Sequence, residues 1–270
     1  MRSHLFIDLP LLGAAHALAP SLGGGAYAAA AAAIAGVNAF AAWHPRGQLY
    51  FDVWWRLPAD AGGVALTFDD GPHPEVTPRV LDLLAARDMQ ATFFVVGQNA
   101  RRHPALLRRM AAEGHAIGLH SDTHDYRYAL WSRARVTRDI EKCRAAVVDA
   151  VGVAPTMFRP PLGLRNPLIG GAANAFGLAT VLWTAGGRDR GRGVRAAARI
   201  ARRATPGAIV LLHDGTAPGD EACGITGLHV VEPLLAALDA KALKSRALNY
   251  ADGILSLAPP IADRPGRIAA

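Results

Sequence analysis

The chain has 270 residues, 51% of them hydrophobic and 19% charged, with a formal net charge of +7. These proportions exclude a disordered chain and suit one globular core of roughly 200 residues plus an extra segment. The positive excess is almost wholly arginine, since Lys142, Lys241 and Lys244 are the only lysines. No aromatic-interleaved basic run accompanies it, so a solvated Arg-rich surface is expected and a nucleic-acid partner is not.

In chain order, residues 1–45 stand apart. Leu5–Ala19 is apolar but interrupted by Asp8, Pro10 and His16, and a Pro20–Gly25 breaker follows. Ala26–Trp43 is uncharged and dominated by alanine, with Ile34, Val37 and Phe40 as its larger residues. Each run is short for a span of about 20 residues, and alanine inserts weakly. The expectation is a membrane anchor or hairpin within residues 5–43. A signal peptide and a pair of soluble helices are the alternatives; Asp8 speaks against the first. Trp43, Tyr50, Trp54 and Trp55 suit either an interfacial belt or a linker packed on the domain. Residues 46–62 read as a linker.

From Gly63 the chain alternates. Strand-like runs are Val64–Phe68, Ala91–Val96, Ala116–Gly118, Met157–Arg159, Thr180–Trp183, Ala208–Leu212 and Arg246–Asn249. Helical patterns lie at Val80–Leu84, Leu106–Met110, Ile140–Val151, Val194–Ala204 and Val230–Ala240. This is an α/β chain with a parallel sheet, open or closed into a barrel. In such barrels chemistry collects at the C-terminal ends of the strands. Asp69 and Asp70 end the first run, His120 follows the third, Arg159 ends the fourth and Trp183 the fifth. His213 and Asp214 end the sixth.

Each of these pieces has a chemical reading. Adjacent carboxylates at a strand end can divide into one base and one ligand. His120 and His124, four apart, would face one side if they lay on a helical turn, as two ligands of one metal; Asp70 is the candidate third. Two surface histidines in a polar loop is the bland reading. Arg159-Pro160-Pro161-Leu162-Gly163 is a stiff turn that suits a guanidinium held against a carboxylate, or a backbone N–H offered to an oxyanion. His213 suits a general acid, its proton affinity raised by Asp189 or by Asp214. Together these describe metal-assisted hydrolysis of an amide or ester.

Thr67-Phe68-Asp69-Asp70-Gly71-Pro72, His120-Ser121-x-x-His124, Arg159-Pro160-Pro161-x-Gly163, Trp183 and Leu211-x-His213 appear in that order. Over roughly residues 60–257 the chain resembles the polysaccharide deacetylases, carbohydrate esterase family 4. The resemblance implies a distorted (β/α) barrel of about seven parallel strands over residues 63–257, with 258–270 as a tail. It implies removal of N-acetyl or O-acetyl groups from a glycan, with one divalent metal, usually zinc, held by Asp70, His120 and His124. By position, Asp69 is the base, Arg159 orients it, the Leu162 N–H serves the oxyanion and His213 is the acid tuned by Asp189. Trp183, Leu211 and Pro161 line the substrate pocket. Two departures bear on the substrate: Leu162 stands where a tyrosine is common, and Asp189-Arg190 where Asp-Trp is usual. Arg188, Arg190 and Arg192 suit an anionic glycan or lipid phosphate, or plain solvation. The expected partner is therefore a glycan or glycolipid, and the expected location a membrane, the bacterial cell envelope favoured: a single anchor would put the barrel outside the cytoplasm and a hairpin would return it to the cytoplasmic side. A deacylase of a lipid-linked sugar or non-carbohydrate amide is the enzymatic alternative. A silent glycan-binding module is another, against which every catalytic and ligand position is filled.

Overall fold

A computed structural model describes residues 24–186, 193–215 and 223–259. Seven parallel strands form a single curled sheet: β1 (Ala65–Asp69), β2 (Ala91–Val95), β3 (Ala116–Leu119), β4 (Met157–Phe158), β5 (Ala179–Thr180), β6 (Ala185–Gly186) and β7 (Ile209–His213). Their spatial order is β5-β4-β3-β2-β1-β7-β6, which puts β1 near the middle, between β2 and β7. The distorted (β/α) barrel of about seven parallel strands implied by the resemblance is observed as a curled half-barrel sheet of seven.

One strand differs in membership from the expectation. The run at Arg246–Asn249 does not join the sheet; Leu248–Ala251 (β8) pairs antiparallel with Ile254–Leu257 (β9). Asp252 and Gly253 turn that hairpin with φ of 53° and 77°, which an Asp-Gly pair tolerates well. The seventh parallel strand is β6, two small residues with no apolar run to announce them. A helix at Pro167–Ala175 was also not expected. Its paired glycines weaken the helical signal, but Asn166 caps it, Oδ1 accepting from the Ile169 N–H at 2.9 Å.

Alternation along β1 builds the two sides of the sheet. Leu66 and Phe68 join the core beneath the flanking helices, with Phe93, Leu81, Ile140 and Leu234. Ala65 belongs to a second, inner cluster with Phe94, Met157, Ala179, Ile209, Leu248 and Leu255. The β8–β9 hairpin thus contributes apolar side chains to the barrel interior. By the same period of two, Thr67 and Asp69 share the inner face with Ala65.

Residues 53–57, read as linker from the sequence, hydrogen-bond into the barrel. The Trp54 N–H donates to Thr180 O at 2.9 Å, Leu182 N–H donates to Trp54 O at 2.7 Å, and Leu57 N–H donates to Gly207 O at 2.8 Å. They bridge the chain after β5 to the start of β7. Upstream, Gly24–Trp43 forms a 20-residue helix that is exposed along most of its length and docks through its last turns. Among the described residues no helix is long and apolar enough to cross a membrane. The apolar run at residues 5–19 lies outside the described residues.

Candidate metal and acid–base site

Asp69 and Asp70 separate because the backbone turns between them. Asp69 is the last residue of β1 and points into the barrel. Asp70 has φ of 71°, a left-handed conformation that aspartate accepts more readily than most residues. Its side chain is thereby redirected toward the loop after β3. The next residue must be glycine: a Cβ at Gly71 would strike the Asp214 carboxylate.

The histidine pair is aligned differently from the expectation. No helical turn is present. Ser121 and His124 both have positive φ, 66° and 51°, and the His124 N–H donates to Ser121 Oγ at 2.8 Å. This tight loop brings the two imidazole centroids to 5.0 Å. Asp70 Oδ1 lies 3.4 Å from His120 Nε2 and 3.3 Å from His124 Nε2. His120 Nδ1 is 2.7 Å from the Arg159 carbonyl, which fixes the ring with Nε2 facing the carboxylates. A backbone carbonyl on the far nitrogen is the usual support of a metal-ligating histidine.

The charges in this cluster call for a cation. Burial pushes the Asp70 carboxyl up, but the His120 hydrogen bond and the charges of His120, His124 and His213 together outweigh it and hold it well below the usual range. Burial opposes a proton on His120, yet Asp69 and Asp70 raise its affinity above the ordinary value. Burial, then the charge of His120, lowers His124 to about 4. One pinned carboxylate and two imidazoles, their ligand atoms within 4.8 Å of one another, fit a divalent ion that takes nitrogen and oxygen donors.

Arg159 is fully buried inside the barrel. Its Nη1 donates to Asp69 Oδ1 at 2.6 Å and to Thr67 Oγ1 at 2.8 Å. Nε and Nη2 each donate at 3.0 Å, to the carbonyls of Val181 and Leu182. Phe94 lies under the guanidinium at 4.1 Å. One Asp69 oxygen is therefore fixed by a charged hydrogen bond, while Oδ2 sits 3.7 Å from His120 Nε2. His213 lies directly beside Asp69 in the β1–β7 register.

A cavity of about 290 Å³ opens above this cluster; Asp69, Asp70, His120, His124 and His213 line it, with Leu162, Gly163, Trp183, Leu211 and Tyr126 completing the wall. Leu162, half-exposed, has φ of 58° between a proline and a glycine. The Trp183 ring packs where a Cβ on Gly163 would stand. Pro161 is buried and does not line the cavity. Asp189 lies outside the described residues. Asp214 follows His213, but its Oδ2 accepts from Thr77 Oγ1 at 2.6 Å, and burial pushes its carboxyl up to about 7.

Sequence reasoning missed the supports and one wall residue. Tyr126, exposed and edge-on to the His124 ring at 5.7 Å, puts an aromatic on the rim. Its signal was an exposed aromatic two residues past the histidine pair. Behind the loop, the Asp122 N–H donates to Asp139 Oδ1 at 2.9 Å and Arg101 pairs with Asp122 Oδ1 at 2.7 Å. Burial raises the Asp139 carboxyl from 3.8 to about 6. The fold then holds a proton that the unfolded chain gives up, so this group's contribution falls as pH rises through about 4 to 6. Asp139→Asn keeps an oxygen acceptor and removes the charge. Its melting temperature should match the parent's at pH 4 and exceed it at pH 8. A gain that is the same at both pH values would contradict the assignment.

Comparison with known proteins places this geometry in a lineage. The polysaccharide deacetylase sequence profile matches residues 57–181. A chitooligosaccharide deacetylase of Rhizobium leguminosarum bv. trifolii is 38% identical over 204 residues, covering 72% of this chain and 94% of the relative. The peptidoglycan-N-acetylglucosamine deacetylase PgdA of Listeria monocytogenes is 40% identical over 154 residues, but the chain covers only 32% of its length. Among solved structures, a family 4 carbohydrate esterase from Streptomyces lividans, in complex with acetate, superposes with a TM-score of 0.64 at 29% identity. That match covers 73% of this chain and 98% of the esterase.

Proposed function

This chain belongs to the polysaccharide deacetylase family, hydrolases of non-peptide carbon–nitrogen bonds, and we propose that it removes acetyl groups from the amino sugars of a glycan. The observation that carries the reading is the Asp70–His120–His124 donor cluster, with Asp69 held beside it by Arg159 and His213 on the neighbouring strand. Asp70, His120 and His124 would hold one divalent ion, which we take to be zinc because that is the usual metal of the family. Bound there, it would lower the pKa of a water and polarise the acetyl carbonyl.

The chain's own residues account for the proton movements. Asp69 takes the proton of the attacking water, its geometry fixed by Arg159 on one oxygen so that the other faces the site. The Leu162 N–H, in its left-handed turn, is offered to the oxyanion. His213 gives a proton to the departing amine. Leu211 and Trp183 enclose the acetyl methyl group, and Asp189 supports the proton on His213. Substrates follow the relatives: a chitin oligomer or peptidoglycan N-acetylglucosamine. Acetate release from both, with and without a chelator, tests the reading. Release that is unchanged by chelation, or absent from every N-acetylated glycan tried, would reject it.

We also propose that residues 5–43 attach the protein to an envelope membrane. Support comes from the uncharged, exposed helix Gly24–Trp43, with Val37, Phe40 and Trp43 bare at 56%, 53% and 73%. The full chain should sediment with membranes and resist a high-salt wash. Recovery in the supernatant at low salt would contradict attachment.

A further inference from the structure

A second cavity of about 350 Å³ shares Trp183 as a wall with the cavity of Asp69 and His213. All its described lining residues lie outside residues 57–181, the stretch matched by the family profile. His44, Pro45, Arg46 and Trp55 come from the segment that precedes that stretch, whereas Trp183 is one of the family's motif residues and Ala185 and Gly186 form β6.

Its chemistry is basic and aromatic. Arg46, Arg203 and His44 contribute the polar groups, and Trp55 and Trp183 the flat apolar ones. The Arg46 guanidinium lies 4.8 Å from the centre of the Trp55 ring. Among the described residues of the wall there is no carboxylate, and none is paired with Arg46 or Arg203. Two guanidinium groups beside an open cavity leave their forked donors available for an anion.

The wall is held from within. Arg165, only 2% exposed, donates from Nη1 to Gly47 O at 2.8 Å and from Nη2 to His44 O at 2.6 Å. Its own N–H donates to Ala42 O at 3.1 Å. A Cβ on Gly47 would sit 2.7 Å from Ala41 Cα, so this turn closes as tightly as it does only with glycine. A buried arginine two residues past Gly163 thus fastens the turn carrying His44 and Arg46 to the rim of the active site. That is costly to maintain for a merely solvated charge.

Indole faces take the apolar face of a sugar ring, and guanidinium forks take carboxylate or phosphate. We propose that this cavity is a subsite that reads an anionic group, carboxylate or phosphate, on the sugar adjoining the one that is deacetylated. The proposal rests on the deacetylase reading and names its substrate class: an N-acetylated glycan with acidic neighbouring units.

Equilibrium binding to the metal-loaded Asp69→Asn protein tests it without turnover. Three ligands of equal length are compared: neutral tetra-N-acetylchitotetraose, a tetrasaccharide whose alternate sugars carry a lactyl carboxylate, and a 6-phosphorylated tetramer. One acidic ligand should bind about tenfold more tightly than the neutral one at low salt, as charged hydrogen bonds allow. Which of the two prevails identifies the anion. Adding Arg46→Gln and Arg203→Gln should reduce the preference to less than about twofold, by loss of those bonds. If that protein does not fold, Arg203→Gln alone, at an exposed helix end, must lower the preference at least severalfold. Equal affinities for all three ligands, or a preference that survives the arginine substitutions, overturns the proposal. Failure of the deacetylase reading is seen separately, as no acetate from any of the three with the unsubstituted protein.

Discussion

Asp69→Asn should lower kcat for acetate release by about 10³-fold, some 4 kcal/mol of barrier, while metal affinity changes only a few-fold. The substitution keeps the size of the side chain and an oxygen to accept from Arg159 Nη1, now at 2.6 Å. What it removes is the capacity to take a proton. The donor set of Asp70, His120 and His124 does not include Asp69, so the ion should still bind. Asp70→Asn should behave in the opposite sense: metal is lost first, and activity returns in part at high metal concentration. The pair of variants separates two adjacent carboxylates that the sequence presents as equals. If Asp69→Asn keeps more than about a tenth of the parent rate, Asp69 is not the base.

Arg159→Leu should destabilise the fold by about 3–5 kcal/mol and abolish activity. The guanidinium is wholly buried and serves Asp69, Thr67 and two backbone carbonyls. Removing it leaves Asp69 as a buried carboxylate without its cation, and the Val181 and Leu182 carbonyls without their donor. Arg159→Lys distinguishes positioning from mere charge. A lysine restores the positive charge but cannot span Asp69, Thr67 and both carbonyls from one nitrogen. The protein should fold, with kcat about 10²-fold lower through misplacement of Asp69 and KM little changed. A lysine variant with full activity would mean that Asp69 needs only a nearby charge and not a fixed orientation.

Much of this site was legible because its residues sit where strands end. Asp69, Arg159 and His213 are placed by short apolar strands whose length and flanking Gly and Pro are local features. Their gathering follows from a parallel sheet that brings every C-terminal strand end to one rim. The alignment of His120 and His124 was not legible in the same way. The four-residue spacing suggested a helix, whereas left-handed Ser121 and His124 achieve the convergence, a conformation that depends on Asp139 and Arg101 behind the loop.

Much of what escaped the sequence shares a physical cause: its stabilisation is non-local. β6 is two small residues that become a strand only because Leu211 and Val210 lie alongside. Residues 53–57 carry aromatic residues equally suited to a membrane interface, and their role emerges from bonds to Thr180, Leu182 and Gly207, more than 120 positions away. The Arg165 clamp on Gly47 and His44 likewise joins residues 118 and 121 apart. No window of local pattern contains both partners of such pairs.

Direct assay of acetate release from an N-acetylated chitin oligomer tests the central claim, using the purified chain with one equivalent of zinc, after chelation, and after zinc is returned. The expected result is turnover that falls below about a hundredth on chelation and recovers at one metal per chain, as loss of a catalytic ion demands. Turnover that persists at full rate in the chelated protein, or a metal-loaded protein that releases no acetate, would contradict it.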